Sequence, residues 1–332
     1  MRVLLVHPPA LFASGGHRYN QAMLKQARKR DLPVRGLRWS GLGLPDFKRI
    51  DVVVWDSLFF DRLACMELSH SPYHLLLCHF LPSLNPTLCL ERRQALRAME
   101  EAVLTRMAGV IATGPKVAEE LRLRYPGIRV ELCEPGVEEC FLSPRLRVSP
   151  SSPSLEWITV ANLLPAKGYL EMLDILARLH RYSWRWHWVG SSPDPLYALH
   201  LQMKIRKLGL GGRIVDHGEV SHVHLPRLLD AADWFLFPSW FESFGMALQE
   251  AVARRLPIIS SRVGVAERWV VPGRTGFLLE PGAWTDFSKV IRRCLVDPRP
   301  KRIWQLGYRY LPSPPTWGEV FERWWKAVEA LV

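Results

Sequence analysis

The sequence contains no long apolar run and few cysteines. No stretch approaches the ~18–20 consecutive apolar residues of a membrane-spanning helix, and the chain starts with a strand-like segment, VLLV, without the layout of a signal peptide. The six cysteines are scattered, with no C-x-x-C pair and no histidines at zinc-ligand spacing. These absences exclude a disulfide or zinc framework, and they predict a cytoplasmic protein whose thiols are reduced and mostly buried.

Acidic residues are scarce near the start of the chain. Residues 1–50 contain ten Lys or Arg but two Asp or Glu, and so carry most of the +12 formal net charge. The densest cationic run, 25–30, indicates a polyanionic partner, such as phosphates, nucleic acid or an anionic membrane face. The alternative is a solvated helix end, where cations interact favourably with the helix dipole. No specific nucleic acid is expected, because an aromatic–basic RNA-binding pattern, a zinc module and a helix-turn-helix are all absent.

Internal repeats are also absent, which excludes a solenoid, and the 48% hydrophobic content excludes a disordered chain. Apolar runs alternate with helix-like segments twice along the chain, a pattern typical of doubly wound parallel sheets. We therefore predict an α/β protein with two Rossmann-like domains that face a cleft. Strands are predicted at Val3–Val6, Val52–Trp55, Leu75–Cys78, Val110–Ala112, Val130–Leu132, 157–160, 186–189, 213–216, 234–237, 257–260 and 277–279. Helices are predicted at 17–30, 91–107, 168–181, 195–208, 223–231, 245–254 and 284–296.

A Ser- and Pro-rich segment separates the two patterns. Residues 143–154 sustain neither a helix nor a central strand, so they are a predicted linker. The predicted division is 1–142 for the N-terminal domain, 143–155 for the linker and 156–311 for the C-terminal domain. An amphipathic helix over 316–332 is expected to pack back on the N-terminal domain.

The segment Phe237–Ala251 holds the densest set of candidate binding groups. A predicted strand, WFLF, leads into a loop that carries Glu242, and a helix begins near Gly245. The free N–H groups of a helix start favour an anionic ligand, and glycine lets that ligand approach the backbone. Glu250, one turn beyond Met246, is a suitable acceptor for vicinal hydroxyls such as those of a ribose. Backbone N–H groups that can donate hydrogen bonds to a phosphate, with a carboxylate on either side, indicate a nucleotide-sugar site.

This segment, with glutamates eight residues apart in P-S-x-x-E-S-F-G-x-x-x-x-E-A, resembles the E-x7-E signature of the family 4 glycosyltransferases of the GT-B fold. The resemblance covers roughly residues 157–300 continuously, with further motifs in the family's order. These motifs are Ala161–Gly168, Trp188–Gly190, Asp216–Val220, Leu228–Asp233, Leu256–Glu267 and Arg274–Leu278. In the first half the resemblance is patchier, at Ser14–Gly16, Cys78–His79, Glu101–Thr113 and Glu134–Val137.

The resemblance implies a retaining hexosyltransferase that needs neither a metal nor a cofactor. Its donor is a UDP- or GDP-sugar bound by the C-terminal domain, and its acceptor is bound by the N-terminal domain. The implied catalytic residues are Glu242, Lys167 on the donor diphosphate, and His79 facing the donor sugar. The implied donor-binding residues are Gly15, Gly16, Asn162, Gly190, His217, Gly218, Ser243, Phe244, Gly245, Met246, Ala247 and Glu250. The sequence also lacks D-x-D, the usual carboxylate pair for a metal–diphosphate bridge.

Several of these residues have ordinary structural alternatives. Taken in isolation, Lys167 and Gly168 are typical of a turn. His79, taken in isolation, is typical of a histidine at a strand end whose ring nitrogens are hydrogen-bonded within the protein. Asn162 departs from the resemblance, since the family often has arginine there as a second cation for the diphosphate. The sequence offers three arginines that compensate if they lie nearby: Arg262, Arg268 and Arg274.

The sequence gives the least information about the acceptor. A lipid-linked or cell-envelope glycan is expected, or else a small molecule, with the protein cytoplasmic and peripheral at the inner face of the membrane. The cationic helix would contact anionic lipid there, together with four aromatics that otherwise form core: Trp39, Phe47, Phe59 and Phe60. The alternatives to a transferase are a nucleotide-sugar 2-epimerase of the same fold and a non-catalytic glycan- or nucleotide-binding paralogue.

Overall fold

All strands of the two large sheets pair in parallel throughout the part of the chain that the structure describes. The computed structural model describes residues 1–9, 14–43, 45–69, 71–143, 154–296 and 301–332. One unit comprises Met1–Gly136 and Pro315–Val332, and the other comprises Val137–Pro314. Each unit holds one six-stranded sheet, which confirms the predicted α/β class. Most of the predicted linker, 143–155, lies outside the described residues.

The first unit has the strand order β2-β1-β3-β4-β5-β6. Its strands are β1 Val3–His7, β2 Val34–Arg38, β3 Val52–Asp56, β4 Tyr73–Cys78, β5 Gly109–Ala112 and β6 Val130–Leu132. Its helices are α1 Gly15–Lys29, α2 Phe60–Ala64, α3 Leu90–Leu104, α4 Pro115–Arg124 and, after the second unit in the chain, α12 Trp317–Leu331. The order reverses between β1 and β3, so the loops that follow these two strands diverge there.

The second unit has the strand order β12-β11-β10-β7-β8-β9. Its strands are β7 Leu155–Val160, β8 Trp184–Val189, β9 Ile214–Asp216, β10 Trp234–Phe237, β11 Ile258–Ser261 and β12 Gly276–Leu279. Its helices are α5 Tyr169–Ala177, α6 Pro195–Lys207, α7 Leu225–Ala231, α8 Met246–Ala253, α9 Ala266–Trp269, α10 Trp284–Val296 and α11 Lys301–Gly307. The order reverses between β7 and β10, and ligands of such sheets bind beyond the carboxyl ends of strands at this point.

Buried apolar runs form the central strands as the sequence predicts. Every residue of β3, for example, is buried, as expected for a parallel sheet covered on both faces. One strand, β2, escaped prediction because it is not such a run. Its sequence Val-Arg-Gly-Leu-Arg is mostly exposed and lies at the sheet edge, where only one neighbour is required.

The aromatics proposed for a membrane interface lie inside the first unit. Trp39, Phe59 and Phe60 are buried in one cluster, and Phe47 packs against it partly buried. They are therefore core residues, which is the alternative that the sequence left open. No helix among the described residues has both the length and the apolarity needed to cross a bilayer.

The cysteines are free thiols, but only half of them are buried. Cys78, Cys133 and Cys294 are buried, as predicted, whereas Cys65, Cys89 and Cys140 are exposed. The prediction fails for these three because they lie at a helix end, a helix start and a surface 3₁₀ turn, respectively.

The C-terminal helix α12 packs against α1 and β5 of the first unit. Its start is fixed by a capping box between Thr316 and Glu319. The hydrogen bonds that Thr316 donates to the Glu319 carboxylate lower the pKa of that group. At the other end, Arg129 donates hydrogen bonds to the carbonyls of Ala330 and Leu331. Both ends of the helix thus have partners for backbone groups that a helix leaves unpaired.

Arg254, at the end of α8, connects residues 140–143 to α7 and α8 within the second unit. Arg254 is 4% exposed, and its guanidinium donates to both carboxylate oxygens of Asp230, at 2.9 and 2.6 Å. It also donates to the carbonyl oxygens of Cys140, Phe141 and Ser143. One buried cation therefore satisfies a carboxylate and three backbone acceptors.

We predict that Arg254→Met lowers the free energy of unfolding of the second unit by about 3–5 kcal/mol, because it removes the buried guanidinium that pairs with Asp230. Arg254→Lys is expected to recover part of this loss, since it keeps the charge but not the fork of donors. Urea unfolding followed by tryptophan fluorescence measures both values. The control is the exposed Arg227→Met. An equal effect of the two methionine variants would contradict the prediction.

Candidate functional site

Lys167 and Glu242 meet at the carboxyl ends of β7 and β10, on either side of the reversal in strand order. Lys167 Nζ lies 2.6 Å from Glu242 Oε1, and both side chains are mostly buried, with exposed fractions of 19% and 13%. Ser239 Oγ donates to the same carboxylate oxygen at 2.9 Å. The structure thus brings together two residues that the sequence predicted as site members, and adds Ser239, which the P-S of the motif signalled.

The two loops that carry this pair are held against each other by backbone contacts. The Trp240 N–H donates to the Ala166 carbonyl at 2.8 Å. Gly168 has a φ of +72°, and a Cβ there would lie 2.2 Å from the Pro238 carbonyl oxygen. Only glycine allows this approach, so the Lys-Gly motif has a structural reason as well as a chemical one.

Helix α8 begins directly after this loop. Gly245 precedes it with a φ of +96°, and no side chain caps the first turn. The first backbone N–H groups of a helix have no partner within it, so the turn starting at Met246 offers donors for an anion. The side chains of Phe244, Met246 and Ala247 pack on the core.

The second glutamate of the motif, Glu250, is buried with its side chain 3% exposed. Its Oε1 lies 3.2 Å from Nε2 of His222, in the segment between β9 and α7. Sequence reasoning missed His222, because nothing in the segment Ser221–His224 shows which of its two histidines turns inward. Glu242 and Glu250 therefore have different partners.

Three predicted residues adjoin one another at the ends of β7, β8 and β9. The Gly190 N–H donates to the Gly218 carbonyl at 2.8 Å, and the Ser191 N–H donates to Asn162 Oδ1 at 3.2 Å. Asn162 thus binds a neighbouring loop, where the resemblance expects an arginine cation.

The candidate substitutes for that cation have other partners. Arg262 forms ion pairs with Glu267 and Glu280, and the Arg274 guanidinium lies over the ring of Tyr310. Arg268 lies in α9. Lys167 is a cation that the structure places directly beside Glu242.

The His217 side chain turns toward a polar network on the sheet. Its Nε2 lies 2.9 Å from Nδ1 of His187, whose Nε2 in turn lies 2.9 Å from Oε2 of Glu156. Arg185 donates twice to the other oxygen of this carboxylate. Burial, and next the nearby His187, lower the pKa of His217. The network escaped prediction because its members are distributed over two strands, β7 and β8, and the loop that follows β9.

In the first unit, the predicted residues Gly16 and His79 are in contact at the start of α1. A Cβ at Gly16 would lie 2.9 Å from the His79 ring, and Gly15 is the first residue of the helix. His79 Nδ1 lies 3.3 Å from Thr113 Oγ1, and its Nε2 lies 3.5 Å from Asp56 Oδ2. The imidazole of His79 is therefore set between two groups of its own unit.

Asp56, which ends β3, was not predicted, although an aspartate that closes an apolar strand was a usable signal. It is fully buried and accepts hydrogen bonds from the side chain of Asn20 at 2.5 Å and the Leu58 N–H at 2.8 Å. Burial raises the pKa of its carboxyl, but the charge and hydrogen bond of His79 and the two other donors outweigh burial, so the pKa lies below its ordinary value. Among the described residues, no group of three or more His, Cys, Asp or Glu is arranged to hold a metal ion.

Residues 150–307 match the sequence profile of the glycosyl transferases group 1. Among curated proteins, the chain is 26% identical over 199 residues to sulfoquinovosyl transferase of Arabidopsis thaliana, which covers 58% of this chain and 37% of the relative. It is 32% identical over 98 residues to D-inositol 3-phosphate glycosyltransferase of an Arthrobacter species, which covers 30% and 23%. The matches thus span less than half of these relatives.

Several solved structures match over nearly the whole chain. Sucrose-phosphate synthase from Thermosynechococcus elongatus has a TM-score of 0.80 at 18% identity, covering 100% of this chain and 99% of the other. Anabaena HepE in complex with UDP and glucose has a TM-score of 0.76 at 16% identity, covering 99% and 100%. Together with the parallel sheets, these matches confirm the GT-B fold that the sequence motifs indicated.

We predict that Asp56→Asn lowers the free energy of unfolding at pH 7 by about 1–3 kcal/mol, because it removes a charge that buried donors stabilise. The folded-state pKa of Asp56 lies below its unfolded value, so its stabilising contribution is present above about pH 4 and declines as the pH falls. Urea unfolding at several pH values measures the difference between wild type and variant, which should narrow in acid. Asp61→Asn, at an exposed aspartate in α2, is the control. A loss independent of pH would count against the assignment.

Proposed function

We propose, for a chain whose residues 150–307 belong to the group 1 glycosyltransferases, that the protein transfers a sugar from a nucleotide-diphosphate sugar to an acceptor hydroxyl with retention of the anomeric configuration. The contact of Lys167 with Glu242 at the strand-order reversal carries this proposal. The named curated relatives are transferases, and the HepE complex with UDP and glucose supports a UDP-sugar as the donor.

In the proposed site, Lys167 binds the donor diphosphate and the first turn of α8 adds backbone N–H donors. Lys167 is mostly buried, and its charge is balanced by Glu242 until a ligand phosphate provides a competing anion. Such preorganised donors stabilise the negative charge that develops on the departing diphosphate. Glu242, released from Lys167 and still bound by Ser239, then accepts hydrogen bonds from the donor sugar.

The proposed transfer needs no protein nucleophile. The bond between the anomeric carbon and the diphosphate oxygen breaks, and the acceptor oxygen attacks from the same face. The proton of the acceptor hydroxyl passes to the departing phosphate oxygen, so that atoms and charge balance. The protein orients the reactants and stabilises the charge on the leaving group.

His79 and the start of α1 are proposed to contribute from the first unit. The N–H groups at Gly15 and Gly16 open a helix of fifteen residues, whose start favours the anionic diphosphate. His79, adjacent to Gly16, is proposed to face the donor sugar. Its contacts with Asp56 and Thr113 hold the ring in one position for that role.

The proposed acceptor is a lipid-linked or cell-envelope glycan, reached at the inner face of a membrane. Exposed cations on α1 and the edge strand β2 support this part: Lys25, Arg28, Lys29, Arg35 and Arg38. Each cation near an anionic leaflet contributes about 1 kcal/mol of attraction. Because the nearby aromatics are core, the proposed contact is electrostatic rather than inserted.

We predict that Lys167→Ala and Glu242→Ala each lower turnover of a UDP-sugar by about 10²–10³-fold, the loss typical of removing a preorganised charge-stabilising group. The matched control is Lys204→Ala, because Lys204 forms an ion pair of the same 2.6 Å length with Asp174 elsewhere in the second unit. Turnover is measured as release of nucleotide with a panel of acceptors, and circular dichroism checks the fold. A fully active Lys167 or Glu242 variant would refute the proposed site.

The same assay separates the proposed function from its rivals. Consumption of donor without any acceptor, with inversion of a sugar hydroxyl, would identify an epimerase. Binding of nucleotide without release of product would identify a non-catalytic paralogue.

We predict that the protein sediments with vesicles that contain anionic lipid at low salt and is released as the ionic strength rises. Replacing Lys25, Arg28 and Lys29 with Gln should weaken this binding by about 3 kcal/mol, at about 1 kcal/mol per cation. Vesicles of neutral lipid serve as the control. Failure to bind anionic vesicles at low salt would remove the membrane part of the proposal.

A further inference from the structure

The buried carboxylate of Glu250 has a histidine partner outside the E-x7-E motif. Nε2 of His222 lies 3.2 Å from Glu250 Oε1, and the Glu250 side chain is 3% exposed. A carboxylate removed from water is costly unless it is hydrogen-bonded or paired. His222 therefore provides part of what keeps Glu250 in its buried position.

His222 is itself held in place from the other side. The ring of Phe141 lies 4.8 Å from the imidazole between centroids, tilted by 49°. Phe141 is fully buried, and its carbonyl accepts a hydrogen bond from Arg254, one helical turn beyond Glu250. The imidazole is thus set between an aromatic ring and the carboxylate that it contacts.

The contact with Glu250 fixes the roles of the two ring nitrogens. An ionised carboxylate can only accept, so a proton on Nε2 is the arrangement that suits this contact. Nδ1 is buried and has no hydrogen-bond partner among the described residues. The position of the imidazole is therefore determined by Glu250 and by the packing of Phe141.

An ionised carboxylate offers about four lone-pair sites, so the contact with His222 is compatible with hydrogen bonds from further donors. In the proposed function, those donors are the two hydroxyls of the nucleotide ribose. Recognition of two adjacent hydroxyls requires the carboxylate plane to be held at one angle, because each hydroxyl must find a separate oxygen or lone pair.

We propose that His222 is a positioning residue that holds the Glu250 carboxylate at the angle needed to bind the ribose diol of the nucleotide. This inference rests on the proposed function and adds a specificity element to it. His222 touches Glu250 rather than the reacting atoms, so it acts on the affinity for the nucleotide and leaves the transfer step to Lys167 and Glu242.

The test is a calorimetric titration of the full chain with UDP and with GDP, and then with the 2′-deoxy form of whichever binds more tightly. His222→Leu keeps the approximate bulk of the ring but removes the donor, and it should weaken binding of the ribonucleotide about tenfold, the equivalent of one hydrogen bond to a charged group. His222→Gln supplies an amide donor near the position of Nε2 and should restore most of the affinity.

The 2′-deoxy nucleotide distinguishes positioning from a general structural role. Wild type should prefer the ribonucleotide, and His222→Leu should lose most of that preference. In a Glu250→Gln background, His222→Leu should add little further loss, since the carboxylate it positions is gone. In turnover assays, the His222→Leu variant should raise the KM for the donor with little change in kcat.

The matched control is His224→Leu, at an exposed histidine two residues away in the same segment. It should leave nucleotide affinity unchanged. If wild type binds nucleotide and His222→Leu binds it equally well, or keeps the full preference for ribose, the inference on His222 is overturned while the proposed function stands. If wild type binds neither UDP nor GDP, the proposed function itself fails.

Discussion

The parallel pairing of β7 with β10 is the constraint on which the candidate site depends. These strands are adjacent in the sheet although two other strands and their helices separate them in the chain, and Trp157 and Ile158 pair with Trp234 and Phe235. Because both strands end at the same edge, the loops that follow them converge. The contact of Lys167 with Glu242, across 75 residues of sequence, is a direct result of this pairing. A different strand order would leave the same residues far apart.

The protein buries several acidic side chains next to polar partners. Asp56, Glu100, Glu156 and Glu250 are each nearly inaccessible to solvent. Asp56 and Glu250 lie next to histidines, Glu156 contacts both a histidine and Arg185, and Glu100 accepts from the backbone and hydroxyl of Ser83. Burial raises the pKa of Glu100, whereas the donors around Asp56 reverse that effect. For Asp56 and Glu100, the direction of the pKa shift therefore depends on the balance between burial and the surrounding donors.

The sequence was most informative where a residue pattern is compatible with a single local structure. Continuous apolar runs such as β3 predicted central strands, and the spacing of the glutamates with Gly245 predicted the loop and helix that the structure has. The sequence was less informative about edges and side-chain partners. The exposed β2 lacks an apolar pattern. The partners of Glu250 and Asp56 depend on contacts between segments that are distant in the chain, and hydrophobic periodicity does not predict such contacts. Whether Trp39 and Phe59 face solvent or core likewise depends on tertiary packing.

The position of α12 has a consequence for how the protein is made. This helix covers α1 and β5, and Leu331 fills the space beside Gly109, yet the ribosome synthesises it after every strand of the second unit. The second unit is continuous in sequence, so it can fold while the nascent chain is still growing. The first unit is synthesised earlier, but the apolar surface that α12 covers stays exposed until α12 has been synthesised. During this interval, that surface is available to a chaperone.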